Sequence, residues 1–442
     1  MKRDRKMVLN AAVMYGMGQL HDAWRIREGS GDDYISGAYY KRIATTAERG
    51  KLHGVFLAEQ ITNSETGAAR PTGALETATV LALMGAVTDR VGLVGTASTT
   101  YNEPYEVARR FATLDHLTAG RGAWNMVTTA HAGTAAQFGA GTLPSAAERY
   151  SRAEEFMDVV VALWESWNAD AFVGDKESGV FADPAKVRTI DHHGEHFQVL
   201  GPLPFPRSRQ GRPVMFQAGS SEAGRNQAGR MADVVFCAQH TIEGSLEFRD
   251  DIRRRAETYG RHPDSVKVLP GMSTIIGATE AEARAKKKAL FDTVPMEVHL
   301  AGLSKWTGLP VEVLELDAPL RTDLLVPDEE FTGGVGWRRS VVGLAVKENL
   351  TVRELLEQAP TAHYQVVGTP EQIADAMEER YAAGAADGFN LMLPIVHEAL
   401  DDVVDMLVPV LQERELMHLD YEHDTLRGNL GLPVPVGEAV PA

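Results

Sequence analysis

Cysteine is almost absent from the 442-residue sequence, which contains only Cys237. One thiol excludes an internal disulfide bond and a metal site built from several cysteines. Cys237 directly follows the apolar residues Val-Val-Phe in a predicted strand. That position favours a buried, inert thiol over a nucleophile.

The sequence also lacks a long apolar run and an excess of positive charge. No segment approaches the roughly 20 apolar residues of a membrane-spanning helix. The formal net charge is -17, which disfavours binding to nucleic acid and to anionic membranes. Asn10 interrupts the apolar part of the N-terminal segment, and no small-residue cleavage site follows, so we expect no signal peptide. We therefore predict a cytoplasmic protein that binds neither nucleic acid nor membrane.

Several catalytic motifs are missing as well. No G-x-G-x-x-G follows a predicted strand, because Gly16-x-Gly18 lacks the third glycine of a dinucleotide fingerprint. The G-x-S-x-G motif is absent, although spacing alone leaves a Ser-His-Asp triad open. The HHGEH segment contains His192, His193 and His196, but it reads as a hairpin tip on which no other His or Cys pattern converges. We therefore expect no metal site.

Strand-like and helix-like segments alternate about eight times along the chain. The hydrophobic content of 44% and charged content of 24% are typical of a soluble globular protein. The predicted strands are Met7–Met14, Gly54–Glu59, Val91–Thr100, Gly122–Thr129, Pro213–Ala218, Asp233–Ala238, Val266–Gly277 and Gly388–Pro394. This alternation predicts an α/β fold, specifically a (β/α)8 TIM barrel with long insertions, and a doubly wound sheet is the alternative.

The predicted domain organisation is one barrel followed by a tail. The barrel domain would span residues 1–415 and carry insertions near residues 130–148, 168–212 and 280–369. The polar, proline-containing residues 416–442 would form a C-terminal tail.

The strand–helix–strand unit from Val91 to Thr129 carries polar residues near the C-terminal ends of both strands. Thr96 lies on the first strand and Asn125 on the second. Ligands of α/β folds bind at this edge. Threonine in a strand also reflects simple β propensity, but the amide of Asn125 inside a buried strand needs partners.

The segment QAGSSEAGR, Gln217–Arg225, is the best candidate for an anion site. Gly219 permits a tight turn, and Ser220 and Ser221 begin a helix whose first backbone N–H groups are free. Helix N-termini bind phosphate through these donors and through the helix dipole. The alternative is a plain serine N-cap with Glu222 behind it.

The segments STTYNEPYEVAR, TLDHLTAGR and WNMVTT closely resemble the core of the bacterial-luciferase-like, FMN-dependent monooxygenases. The nearer match is the branch of nitrilotriacetate, EDTA, dibenzothiophene-sulfone and long-chain-alkane monooxygenases, and the resemblance covers nearly the whole chain. It implies an enzyme that takes reduced FMN (FMNH2) from a separate NAD(P)H:flavin reductase. With O2 as co-substrate, such an enzyme oxygenates a small organic substrate, often with cleavage of a C–N or C–S bond. A homodimer or homotetramer is expected.

The resemblance also implies roles for individual residues. Gly219, Ser220, Ser221 and Tyr150 would contact the FMN phosphate, and Glu59 and Thr96 would face the flavin. Together with Asn125 they form the predicted cofactor-binding set. Two positions depart from the family pattern, because relatives usually have Asp in place of Glu59 and often have His in place of Ala146. No side chain is predicted as a catalytic acid or base.

Three other functions stay open. A deazaflavin-dependent oxidoreductase uses the same barrel, but the acidic tail of that cofactor would need more basic residues near QAGSS than Arg225 alone. A non-catalytic flavin-binding protein would not need the long insertions at residues 130–148 and 280–369. A metal-dependent hydrolase is the third alternative, and the first predicted strand lacks the H-x-H pair of such barrels.

Overall fold

Eight parallel strands close into a barrel in the computed structural model of the protein, which confirms the predicted (β/α)8 fold. The structure describes residues 6–14, 17–20, 22–62, 74–129, 131–139, 141–328, 330–331, 333–361 and 363–435. The described strands are β1 Val8–Val13, β2 Gly54–Leu57, β3 Gly92–Ser98, β4 Gly122–Val127, β5 Phe172–Asp175, β6 Val180–Ala182, β7 His192–His193, β8 Gln198–Val199, β9 Val214–Gln217, β10 Val234–Cys237, β11 Lys267–Ile276, β12 Tyr364–Gly368 and β13 Gly388–Met392.

The barrel ring runs β1-β2-β3-β4-β9-β10-β11-β13 and closes where β13 pairs with β1. All six residues of β1 are buried, as expected for a strand covered on both faces. Alternate residues face the barrel interior, where the rings of Phe56 and Phe236 meet edge to face with centroids 5.8 Å apart. The outward residues pack on the helices and form the larger apolar core.

Helices follow the barrel strands, as the alternating pattern predicts. They are α1 Ala23–Ile26, α2 Gly37–Arg49, α3 Thr77–Gly85, α4 Pro104–Leu117, α5 Ala132–Gln137, α6 Ala146–Trp164, α7 Glu222–Met231, α8 Ile242–Thr258, α9 Glu280–Thr293, α10 Met296–Thr307, α11 Val335–Glu348, α12 Val352–Gln358, α13 Pro370–Ala382, α14 Val396–Asp402, α15 Val408–Glu413 and α16 Leu426–Asn429. A π-helical segment, Val403–Leu407, joins α14 to α15. No helix among the described residues is long and apolar enough to cross a membrane.

The insertions have definite structure. Residues 168–212 contain two antiparallel hairpins, β5–β6 and β7–β8. In residues 280–369, helices α10 to α12 surround an apolar core of their own, which includes Leu303, Val341 and Leu355. Strand β12, which the sequence did not predict, pairs with the second half of β11 and extends the sheet outside the ring.

The C-terminal segment covers the bottom of the barrel, where the strands begin. Leu426, Leu430 and Leu432 join the apolar residues of the barrel interior. The backbone N–H of Leu426 donates to the carbonyl of Gly120, just before β4, at 3.0 Å. Residues 416–435 therefore pack against the barrel, whereas residues 436–442 lie outside the described part of the chain. The division into a domain and a tail at residue 415 stays a prediction.

Candidate active site

The barrel mouth, formed by the C-terminal ends of the eight strands, contains a polar pair from β3 and β4. Asn125 donates from Nδ2 to Thr96 Oγ1 at 2.9 Å, and Thr96 Oγ1 donates to the carbonyl of Leu57 at 2.8 Å. Asn125 Oδ1 is buried and has no hydrogen-bond partner among the described residues. An unmatched buried acceptor costs about 1–3 kcal/mol, so this amide is suited to a ligand that donates a hydrogen bond.

A second pair of amides lies on the neighbouring wall. Asn10 of β1 donates from Nδ2 to Asn390 Oδ1 of β13 at 2.9 Å, and both residues are fully buried. Asn10 Oδ1 and Asn390 Nδ2 have no partner within the described part of the chain. Unmatched buried polar atoms are rare in folded proteins, and these belong to the inward-facing residues of the barrel.

The start of α7 brings several predicted phosphate residues together. The hydroxyls of Tyr150 and Ser221 lie 3.0 Å apart. Gly219 donates its backbone N–H to Gln217 Oε1 at 3.1 Å. A Cβ at Gly224 would lie 3.1 Å from the Tyr150 hydroxyl, so glycine permits this close approach. Tyr150, Gly219 and Ser221 therefore share one small region beside the helix N-terminus.

The two serines have different local roles. Ser221 is the N-cap of α7, because its Oγ accepts the backbone N–H of Gly224 at 3.2 Å. Ser220 is not the N-cap residue, and the first turn of α11 approaches it so closely that a Cβ at Gly336 would lie 2.6 Å from Ser220 Oγ. The capping role of Ser221 is thus observed, and binding of phosphate by both serines stays a prediction.

Glu59 lies two residues beyond β2 and is partly buried. Burial raises the pKa of its carboxyl to about 7, and the negative charge of Glu76 raises it further, whereas Arg110 and the backbone of Ser98 oppose the shift. This carboxyl therefore changes charge near neutral pH. No described hydrogen bond connects it to Thr96 or Asn125, and its contact with flavin stays a prediction.

The three histidines of HHGEH are directed to three different partners. His192 pairs with Glu155 at 2.8 Å, His193 with Asp191 at 3.2 Å, and His196 with Ser151 at 2.9 Å. His192 and His196 attach the β7–β8 hairpin to α6, His193 pairs with a residue beside it in the chain, and the three side chains do not converge. The described residues contain no group of three His, Cys, Asp or Glu side chains that is arranged to hold a metal ion.

Two buried histidines at the mouth were missed by the sequence analysis. His240, three residues beyond β10, lies with Nδ1 2.5 Å from Ser340 Oγ of α11. His363 stacks on Phe236 with ring centroids 5.3 Å apart. Burial lowers the pKa of His240 to about 3, with smaller contributions from His363 and Arg380, and burial lowers that of His363 to about 4. Both imidazoles are therefore neutral at pH 7.

The sequence contained a signal for one of these histidines. His240 follows the sixth predicted strand, at the edge of the sheet where the polar ends of β3 and β4 predict ligand binding. His363 precedes strand β12 in an insertion where the sequence pattern predicts no strand. Nothing in the sequence therefore placed His363 at the mouth.

A cavity of about 430 Å3 lies between the starts of α7 and α8 and helix α11. Ser220, Gln239, His240 and Ser340 are among the residues that line it. This volume is within the range of small-molecule sites. The insertion thus forms one wall of a pocket next to the predicted phosphate residues.

A family model described as luciferase-like monooxygenase matches residues 20–387 of the chain. Nitrilotriacetate monooxygenase component A of Aminobacter aminovorans is 41% identical over 443 residues, covering 97% of each chain. N-acetyl-S-(2-succino)cysteine monooxygenase of Bacillus subtilis (strain 168) is 39% identical over 440 residues, covering 99% of each. The structure of EDTA monooxygenase from Chelativorans sp. BNC1 is 32% identical, with a TM-score of 0.82 over 98% of this chain and 100% of that one.

Proposed function

The chain belongs to the luciferase-like monooxygenase family, and from this premise we propose that it is the oxygenating component of a two-component system. A separate NAD(P)H:flavin reductase would supply reduced FMN, and O2 would be the co-substrate. The product would be an oxygenated small organic molecule, with cleavage of a C–N or C–S bond where the substrate allows it. We also propose assembly as a homodimer or homotetramer.

One observation carries this proposal: a helix N-terminus with two hydroxyls 3.0 Å apart and a buried amide with an unmatched acceptor lie at the same barrel mouth. FMN has a phosphate at one end and a ring with polar edges at the other, so these groups fit its two ends. Tyr150, Gly219, Ser220 and Ser221 would hold the phosphate. Asn125, Thr96 and Glu59 would face the ring.

Bound reduced FMN supplies the electrons that activate O2. The protein's own residues would position the two reactants and exclude water. Helix α11 lies directly against Ser220, and most inward-facing side chains of the barrel, apart from amides such as Asn10 and Asn390, are apolar, which limits the access of water to the site. The carboxyl of Glu59, with a pKa of about 7, would hold or release a proton near neutral pH.

The charge around α7 supports FMN over a deazaflavin with an acidic tail. Arg225, the basic residue of the QAGSSEAGR segment, donates from Nη1 to Glu247 Oε1 at 2.8 Å and to Asp251 Oδ2 at 3.2 Å. Its charge is therefore already neutralised within the protein. A single phosphate can be bound by hydroxyls and a helix N-terminus alone, whereas additional carboxylates would need additional cations.

The relatives' names suggest the first compounds to test. Two relatives that align over nearly their whole length are named for nitrilotriacetate and for N-acetyl-S-(2-succino)cysteine. The first compound is an amine polycarboxylate and the second a thioether polycarboxylate. We propose these two classes as substrates of this chain, ahead of neutral sulfones and alkanes.

The decisive assay combines the purified protein with FMN, NADH, a generic flavin reductase and these compounds, and it detects products by mass spectrometry. We expect an oxygenated or cleaved product only when both the reductase and the protein are present. Without the reductase, NADH should not be consumed. Rapid NADH oxidation by the chain alone would contradict the two-component proposal.

A further inference from the structure

Four residues form a buried polar cluster on the β10–β11 side of the barrel mouth. We call His240, Ser340, His363 and Arg380 the histidine cluster. Ser340 lies on α11, His363 immediately precedes β12, and Arg380 lies on α13. The His363 ring stacks on Phe236 of the barrel interior and lies so close to β11 that a Cβ at Gly271 would be 2.3 Å from its Nδ1. The cluster therefore lies directly above the apolar interior.

The protein fixes the tautomer of His240. Ser340 Oγ accepts the backbone N–H of His240 at 3.1 Å and lies 2.5 Å from its Nδ1. Among the described residues, the Ser340 hydroxyl has no hydrogen-bond acceptor other than His240 Nδ1, so the hydroxyl donates its proton to that nitrogen. Nδ1 then accepts, and the proton of the neutral ring is on Nε2. Nε2 is buried and has no described partner, so its N–H is a preorganised hydrogen-bond donor for a ligand.

Arg380 brings a positive charge without a described carboxylate partner next to His240. The residue is 7% exposed, donates from Nη2 to the carbonyl of His240 at 2.6 Å, and stacks 3.8 Å over the ring of Tyr364. No carboxylate of the described residues lies within ion-pair distance of it. Glu243 senses its charge, but that side chain is 73% exposed and already pairs with Lys347 at 2.8 Å.

A second buried arginine, Arg121, also lacks a described carboxylate partner, but its guanidinium donors are paired with other acceptors. Arg121 is 3% exposed and donates to four backbone carbonyls and one hydroxyl around the C-termini of α3 and α4. Arg380 makes one such bond. Because a buried cation without compensation is costly, the remaining donors of Arg380 favour an anion that the protein itself does not provide.

We propose that the histidine cluster binds a carboxylate of the substrate, with Arg380 providing the charge and the Nε2–H of His240 a directed hydrogen bond. This substrate class rests on the proposed function, because the bound acid is taken to be the molecule that is oxygenated. In the ring of eight strands, β10 lies four positions from β2. The carboxylate would thus be held on the wall opposite Glu59, and the rest of the substrate would extend toward the flavin residues.

Matched probes separate charge from shape. Acetate, succinate and citrate are compared with their methyl esters by isothermal titration calorimetry at neutral pH, on the full-length protein with and without saturating FMN. We expect at least one acid to bind more tightly than its ester, and to do so also with FMN present. A Ser221→Ala variant shows whether the acid instead occupies the start of α7.

The variants test the named groups. Arg380→Met and His240→Phe should each weaken binding of that acid by about tenfold to a hundredfold, the usual effect of losing a hydrogen bond to a charged group. The ester should be unaffected, and Arg380→Lys should retain part of the affinity. Lys347→Met is the matched control, because it removes a cation that lines the cavity beside His240 but belongs to no part of the histidine cluster, and it should change affinity by less than about twofold. His240→Asn replaces His240→Phe if the larger change prevents folding.

Three outcomes would overturn the proposal: no acid binds more tightly than its ester, Arg380→Met binds the acid as well as the unmodified protein does, or Ser221→Ala alone abolishes binding of the acid. FMN affinity is measured by fluorescence on the same preparations. If FMN fails to bind while the acid still binds through Arg380, the proposed function is wrong and the carboxylate site stands. Loss of the Arg380 dependence with intact FMN binding removes only the carboxylate site.

Discussion

Two buried arginines lie at opposite ends of the barrel and differ in whether a carboxylate pairs with them. At the bottom, Arg427 is 1% exposed and meets Asp233 Oδ2 at 2.9 Å. At the mouth, Arg380 is nearly as buried but has no carboxylate partner in the described ranges. Burial alone therefore does not distinguish a structural charge from a functional one. A charge that the protein compensates is structural, and one that it leaves uncompensated is suited to a ligand.

The surroundings of the two arginines also differ, although Arg427 Nε is itself buried without a described partner. Below the strands, Leu426, Leu430 and Leu432 cover the interior with apolar surface. Above them, Asn125 Oδ1 and His240 Nε2 are buried without described partners. The same eight strands form both ends of the barrel. The difference in polarity therefore comes from the segments that cover each end, the C-terminal segment at the bottom and the insertion with α11 at the mouth.

The largest expected loss of stability follows from removing the paired arginine, Arg427, at the bottom of the barrel. Arg427→Met leaves Asp233 buried without its main cation and should lower the free energy of unfolding by about 3–5 kcal/mol, measured by denaturant titration. Arg380→Met should cost far less, because it leaves no buried carboxylate behind. Adding Asp233→Asn to the Arg427→Met variant should restore part of the loss. Equal losses for the two arginine variants would contradict the comparison.

The next effect concerns the start of α7. Ser220→Ala/Ser221→Ala should weaken FMN binding by about tenfold to several hundredfold, since each hydrogen bond to a charged group contributes about 1.5–3 kcal/mol. The N-cap lost with Ser221 should lower stability by only about 1 kcal/mol. Ser220→Ala alone is the control, because it should reduce FMN affinity without this stability loss. Unchanged FMN affinity in the double variant would leave only the capping role.

The histidine cluster should also make stability depend on pH. His240 and His363 have pKa values of about 3 and about 4 in the folded protein, below the ordinary value of about 6.5. The unfolded chain therefore binds more protons, and stability should fall as the pH decreases from about 6.5 to about 3, the lower of the two folded pKa values. At pH 5, protonation of His363 in the unfolded chain should lower the free energy of unfolding by about 2 kcal/mol relative to neutral pH. His363→Asn should flatten this slope relative to the unmodified protein, and an unchanged slope would show that the imidazole is not held neutral.

The smallest effect involves Glu59. Burial raises its pKa to about 7, so it gains charge as the pH rises through neutrality. A carboxylate next to an anionic reduced flavin should weaken binding roughly two- to fivefold above that pH. Glu59→Gln should remove this dependence, and anaerobic fluorescence titration across the same pH range would measure it. A pH dependence that persists in Glu59→Gln would assign it to another group.

The sequence predicted the parts of this molecule that depend on local pattern. Alternating runs located the eight barrel strands, and polar strand ends located Thr96 and Asn125. Strand β12 was missed because its partner, β11, ends almost ninety residues earlier, at Ile276, and pairing at that distance leaves no local pattern. The leucines from Leu426 to Leu432 were missed because they lie among polar residues and become an apolar surface only against the barrel.

Hydrogen–deuterium exchange with and without FMN distinguishes a ligand-binding mouth from a structural bottom of the barrel. At the start of α7, Ser221 caps the backbone N–H of Gly224, whereas those of Glu222 and Ala223 have no described acceptor and should exchange rapidly until the phosphate binds. We predict that FMN slows exchange in residues 219–225 and leaves residues 424–432 unchanged. Equal protection at both ends, or none in residues 219–225, would contradict the account.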